Sequence, residues 1–254
     1  MPVPSALVLT YHSISAAPGP TSIPVETFDM QMQTLASEGY RSMTLQDFLD
    51  WRAGGPTERR VLITFDDAFL DYREAAHPIL RGLGFTAAVF APTGPLGCAE
   101  DWPGAADPAR PLMSWDHLTA LADDGVEFGS HTISHADLIA ADPEARRREI
   151  EDSGRELANR LHRPTRSFAA PYGRVNRAVL ADLRGRYEVA FGTRLARPRR
   201  DDDVLDVPRI EMHYFREPKR WRDFLRGQDG YFYTRRALRA VRETAERLRP
   251  GASA

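Results

Sequence analysis

The sequence predicts an α/β fold, a single distorted or incomplete (β/α) barrel of about seven parallel strands. Three observations carry that prediction. Short runs rich in β-branched and aromatic residues alternate with helix-patterned segments from end to end, as crossover connections between parallel strands require. A chain of 254 residues suits one such barrel better than two domains. The ionisable and turn-forming residues fall just after the strand-like runs, where parallel α/β folds place their sites. An open doubly wound sheet is the alternative arrangement.

The elements follow in order. Residues 6–11 (ALVLTY) read as a strand, and 25–39 (VETFDMQMQTLASEG) as a helix ending on Gly39, a usual position just past a helix. Residues 44–55 (TLQDFLDWRAGG) form a second helical pattern before the apolar strand 61–65 (VLITF). A helix over 71–84 and a strand over 85–92 come next, with Gly82 and Gly84 read as a helix end. Residues 92–113 are a loop rich in Pro, Gly and Ala, long enough to suggest function or mobility. Ser114 is suited to cap a helix over 114–125, and the strand 126–131 (VEFGSH) follows. Pro143 sits in the first turn of a long charged helix over 142–162. The remainder reads as strand and turn (166–173), helix (175–185), strand (187–193), polar loop (194–203) and strand (204–212). An amphipathic helix covers about 231–249. With no internal repeat and no linker, the expected organisation is a single domain over 1–254.

Composition excludes some functions. A formal net charge of −2 lacks the basic footprint of a nucleic-acid binder. Cys98 is the single cysteine, so no intrachain disulfide can form. The start, MPVPSALVLTYHSIS, has no basic region followed by an apolar stretch of signal-peptide length, and no run approaches a membrane span. The expectation is a cytoplasmic protein with no nucleic-acid partner and no membrane span. The oligomeric state is left open.

The chemistry concentrates at four strand ends. Tyr11 and His12 follow the first strand, and Asp66 and Asp67 follow VLITF. His131 and His135 (HTISH) follow VEFGS, and Pro171, Tyr172 and Gly173 follow SFAA. Adjacent carboxylates repel each other and cost desolvation unless compensated. One carboxylate with two histidines is a recurring ligand set for a catalytic divalent metal with an open position for water. The structural alternative is that one aspartate caps a helix beginning near Ala68, which leaves the other unexplained. HxxxH alone is weak, since most such pairs bind nothing.

In order, TFDD, GSHTISH and FAAPYG resemble the three leading motifs of the polysaccharide deacetylases, carbohydrate esterases with a NodB-type domain. The resemblance runs from Ala6 to about His213. LVLTYHSI, EGYRSMTL and FAAPYG are most similar to the subgroup acting on poly-β-1,6-N-acetylglucosamine, whose motifs are circularly permuted. It implies a NodB-like barrel and removal of an N-acetyl group from an N-acetylated sugar or glycan. Asp67, His131 and His135 would hold the metal, zinc foremost, with Co, Ni, Mn or Fe accepted by the same donors. Asp66 would be the general base, His12 the general acid, and the Tyr172 backbone N–H an oxyanion donor. Pro171 and Trp115 are the candidate substrate contacts.

Two departures stand out. Where most members carry an arginine two positions before the third-motif proline, this chain has Ala169, so Arg209 in VPRIEM is the candidate for tuning Asp66. Ser13 stands where many members place an acidic partner for the acid histidine, which leaves the group orienting His12 unidentified. His213 competes with His12 but reads equally as a packed residue. His77 and His117 fall within helical patterns, and His162 ends one. Two other readings stay open: the same chemistry on a small amide, formamide or lipid- or nucleotide-linked sugar, and a non-catalytic sugar-binding relative.

Overall fold

The computed structural model describes residues 6–55 and 59–247. Strands β1 (Ala6–Tyr11), β2 (Arg41–Ser42), β3 (Arg60–Phe65), β4 (Ala88–Ala91), β5 (Glu127–Ser130), β6 (Ser167–Ala169), β7 (Val189–Leu195) and β8 (Val207–Glu211) pair in parallel. β1 pairs with β8 on one side and directly with β3 on the other, which closes a barrel of seven strands. The two-residue β2 hangs on β3 outside that ring. The barrel is thus complete, and closure rules out the open sheet.

Around it run α1 (Val25–Ser37), α2 (Leu45–Arg52), α3 (His77–Gly82), α4 (Trp115–Asp123), α5 (Pro143–Leu161), α6 (Arg177–Leu183), α7 (Pro218–Leu225) and α8 (Gly230–Arg247). The predicted 231–249 helix is α8, and 248–249 lie outside the described residues. None of the described helices is long and apolar enough to cross a membrane. The helix expected over 71–84 begins at Tyr72 as a five-residue π-helical turn and continues as α3. The cap expected near Ala68 is absent, because Asp67 (φ 72) and Ala68 (φ 56) turn the chain left-handed there.

Alternation along the strands builds two layers. Val8, Leu62, Phe90, Phe191 and Val207 form one buried cluster together with Phe48 and Trp51 of α2. Leu7, Leu9, Val61 and Ile63, one position out of phase, join the separate cluster shared with α1 and α7. α2 starts at a Thr44 capping box, and Leu45 N–H donates to Glu127 Oε2 at the first residue of β5. That contact sets α2 against the amino-terminal end of the strands, and its aromatics plug that end. The opposite, carboxyl-terminal mouth is where the polar residues collect.

Candidate active site

β1, β3, β5, β6 and β8 each deliver site residues at their carboxyl ends. Asp66 N–H donates to Tyr11 O at 2.9 Å, extending the β1–β3 ladder one step beyond the strand and fixing where both aspartates begin. The chain then passes through the left-handed region at Asp67 and Ala68, and does so again at Thr132 (φ 71), His135 (φ 59) and Tyr172 (φ 59). Non-glycine residues rarely adopt that conformation, and such strain gathers where a site dictates it.

Asp67 Oδ1 lies 3.2 Å from Nε2 of His131 and 3.2 Å from Nε2 of His135. One ligating atom from each residue falls within 4.8 Å of the others, and all three residues are buried. His131 Nδ1 donates to Ala169 O at 2.8 Å, which turns its Nε2 toward Asp67; burial alone would lower the His131 imidazole, but the Asp67 and Asp66 carboxylates hold it above its ordinary value. Among the described residues, Asp67 Oδ1 has no hydrogen bond of good geometry despite these close approaches. Burial alone would push the Asp67 carboxyl up, but the two imidazoles beside it hold it well below the usual carboxylate range. Burial keeps the His135 imidazole below its ordinary value. One carboxylate and two imidazoles whose ligating atoms converge in a buried site fit a cation. Donors about 2.0–2.2 Å from a tetrahedral zinc would stand roughly 3.3–3.6 Å apart, a little more than the 3.2 Å between Asp67 and each histidine.

Asp66 faces differently. Arg209 Nη1 and Nη2 each donate to one Asp66 carboxylate oxygen at 2.7 Å, a bidentate pair. The Arg209 side chain is fully buried, and it also donates to Gly192 O and Thr64 Oγ1, both at 3.0 Å. Burial raises the Asp66 carboxyl, and the Arg209 charge and hydrogen bonds more than offset this, holding it below its ordinary value. His12 Nε2 stands 3.9 Å from Asp66 Oδ2. The backbone just after His12 is held by Asp71, which accepts from Ser13 Oγ and from Ile14 N–H. Glu211, at the end of β8, pairs in register with Thr10, and burial pushes its carboxyl above the ordinary value.

Pro171 is buried and opens a 3-10 turn, Pro171–Gly173, that leaves the Tyr172 ring exposed over the site. The Tyr172 ring lies edge-on to His135 at 4.7 Å. Trp115 is not at this mouth. It starts α4 behind the Ser114–His117 capping box, packs against the outer core, and carries Arg160 over its ring at 5.1 Å. The tryptophan beside the ligand group is Trp102, stacked on His135 at 4.2 Å. His213 turns toward Arg216, whose Nη2 donates to its Nδ1 at 3.0 Å. His77 pairs with Asp124, and His162 closes α5 in a left-handed turn.

Several residues that shape the site carry no sequence signal. Glu149 of α5 accepts from Ile133 N–H, Ser134 N–H and Ser134 Oγ, pinning the turn between the two histidines. In sequence it is one charge of many on a solvated helix. Glu100 and Arg110 form a buried bidentate pair inside the 92–113 loop, and Arg110 also donates to Thr21 Oγ1 and Ser22 Oγ. The loop is therefore packed, and it is tied to the segment that follows His12.

A closed seven-stranded barrel with an Asp-His-His group and a second, arginine-paired aspartate at its mouth defines a barrel hydrolase of the NodB type. The chain belongs to the polysaccharide deacetylase family, whose profile matches residues 53–186, more than half of its length. His12, just after β1, and Arg209, on β8, lie outside that span, at the two strands that close the barrel. YxkH of Bacillus subtilis (strain 168), named as a polysaccharide deacetylase, is 27% identical over 209 residues, covering 81% of this chain and 70% of the relative. The Streptococcus pyogenes deacetylase PplD, solved in complex with acetate, is 26% identical with a TM-score of 0.70, covering 83% of this chain and 92% of that one. IcaB from Ammonifex degensii is 26% identical with a TM-score of 0.69, covering 87% and 96%.

Proposed function

We propose that this protein is a metal-dependent carbohydrate N-deacetylase that releases acetate from an N-acetylated amino sugar within a glycan, with the whole chain serving as one catalytic unit. The observation that carries the reading is the pairing of two differently treated carboxylates. Asp67 converges with His131 and His135, while its neighbour Asp66 is clamped by Arg209.

A divalent cation held by Asp67, His131 and His135 would supply Lewis acidity toward the acetyl oxygen and toward a water. Asp66, kept ionised by Arg209, accepts a proton from the attacking water as its oxygen bonds to the acetyl carbon. The Tyr172 backbone N–H, presented by the Pro171–Gly173 turn, donates to the oxygen on which charge develops. His12 gives a proton to the nitrogen as the C–N bond breaks, so acetate and a free amine leave. Pro171 serves by holding the turn.

The name of YxkH, a polysaccharide deacetylase, supports a glycan over a small amide, and the acetate bound to the deacetylase PplD supports release of acetate from either. A ladder of N-acetylglucosamine oligomers tests this against N-acetyl monosaccharides and their nucleotide conjugates. Acetate release should rise in kcat/KM with chain length. Equal or better turnover of the monosaccharides would assign the site to a small-sugar substrate.

A further inference from the structure

Metal-binding histidines usually donate their second ring N–H to an acceptor, which fixes the plane of the ring. His131 follows this rule through Ala169 O. His135 does not, because its Nδ1 is buried and has no hydrogen-bond partner among the described residues. Two aromatic rings contact it instead. The Trp102 indole stacks on the imidazole with centroids 4.2 Å apart and planes 26° apart. The Tyr172 ring meets it edge-on at 4.7 Å and 74°.

The indole is itself held in place. Trp102 is 8% exposed, and Phe69 packs beside it at 6.3 Å. Arg110 covers the Phe69 ring at 4.1 Å, and the Glu100–Arg110 ion pair ties together the two ends of the loop segment that carries Trp102. With one side on His135 and so little of the ring exposed, Trp102 has no open face on which a sugar could stack.

We propose that Trp102 is a positioning residue for His135, with the Tyr172 ring as the second jaw of an aromatic clamp that replaces the missing hydrogen bond. The inference rests on the metal-centre reading above. It predicts that removing the indole weakens metal binding before any substrate is present.

Zn²⁺ titration in competition with a chromophoric chelator tests it on the unmodified protein, Trp102→Leu, Trp102→Phe and Tyr172→Asn, with Co²⁺ absorption reporting ligand geometry. Trp102→Leu keeps an apolar side chain but removes the ring and should bind Zn²⁺ about 10–100-fold more weakly, the range seen when a ligand's supporting partner is lost, while Trp102→Phe should stay nearer the unmodified value. Tyr172 is 42% exposed and asparagine tolerates its left-handed backbone, so Tyr172→Asn keeps the test available should the leucine variant not fold. A several-fold weakening and an altered Co²⁺ spectrum are expected there. Unchanged Zn²⁺ affinity in Trp102→Leu, or in Tyr172→Asn should the former not fold, overturns the proposal, and a fall in kcat/KM alone would assign the rings to substrate. Failure of the unmodified protein to bind any metal is a separate result, which removes the metal centre and this inference with it.

Discussion

Asp66 can act as a base only while something keeps a buried carboxyl ionised, and Arg209 is the group placed to do so. Burial pushes the carboxyl up, and the bidentate guanidinium brings it below its ordinary range. Arg209→Met leaves burial opposed only by the weaker influence of the nearby histidines, so the Asp66 carboxyl should rise. The acid limb of kcat/KM should then move to higher pH by about one unit or more, the range over which an adjacent arginine acts on an aspartate. An unmoved limb would show that Asp66 is not the titrating base. The same pair is linked to stability. A carboxyl depressed in the folded state stabilises above its unfolded value, and that contribution is lost as pH falls through the lower folded value. Removing one partner of a buried pair costs about 3–5 kcal/mol, so the variant should also unfold at lower urea concentration.

Among the elements, the turn after β6 is the most demanding. Gly173 sits at φ +62, and a Cβ there would meet Thr193 Oγ1 at 2.0 Å and Cγ2 at 2.2 Å. Thr193 belongs to β7, so relief requires the turn itself to move, and with it the Tyr172 N–H and the ring against His135. Gly173→Ala should destabilise by about 1–3 kcal/mol, the usual range for overpacking a filled site. It should also lower kcat more than it raises KM, because the donor it displaces acts on charge that develops in the transition state. Urea unfolding and steady-state kinetics check both parts. Loss of stability with kcat intact would separate the turn from the chemistry. The turn between the histidines depends on Glu149 in the same non-local way: its two backbone N–H donors come from residues 133 and 134, on a different element.

For the molecule as a whole, function is a property of closure. His12, just after β1, and Arg209 on β8 reach the aspartates that follow β3 only because β1 pairs with both β3 and β8. Much of this was legible in the sequence. The parallel strands showed as short apolar runs between helical patterns, and Asp66, Asp67, His131 and His135 showed because each group is compact in sequence and follows a strand. Arg209 could be singled out only by its strand and by the alanine at 169, since its partner lies 143 residues away. Trp102, Glu149 and the Glu100–Arg110 pair were not legible, because loops and helix surfaces show no period and their partners are set by packing. Trp115 misled for a related reason: a capped helix start looks the same whether its first ring faces the mouth or the neighbouring helix. The short β2, the π-helical turn at Tyr72 and α7 were likewise hidden, being brief or fixed by tertiary contacts.

The central claim is that Asp67, His131 and His135 hold a catalytic cation beside a base, Asp66, that does not itself ligate it. Acetate release from N-acetylglucosamine oligomers tests this most directly, using metal-stripped protein, the same protein given one equivalent of Zn²⁺ or Co²⁺, and Asp66→Asn loaded in the same way. The stripped protein should release no acetate, the reloaded protein should regain activity, and Asp66→Asn should bind the metal with full stoichiometry yet release none. Acetate release that survives stripping, or that Asp66→Asn leaves intact, would contradict the account.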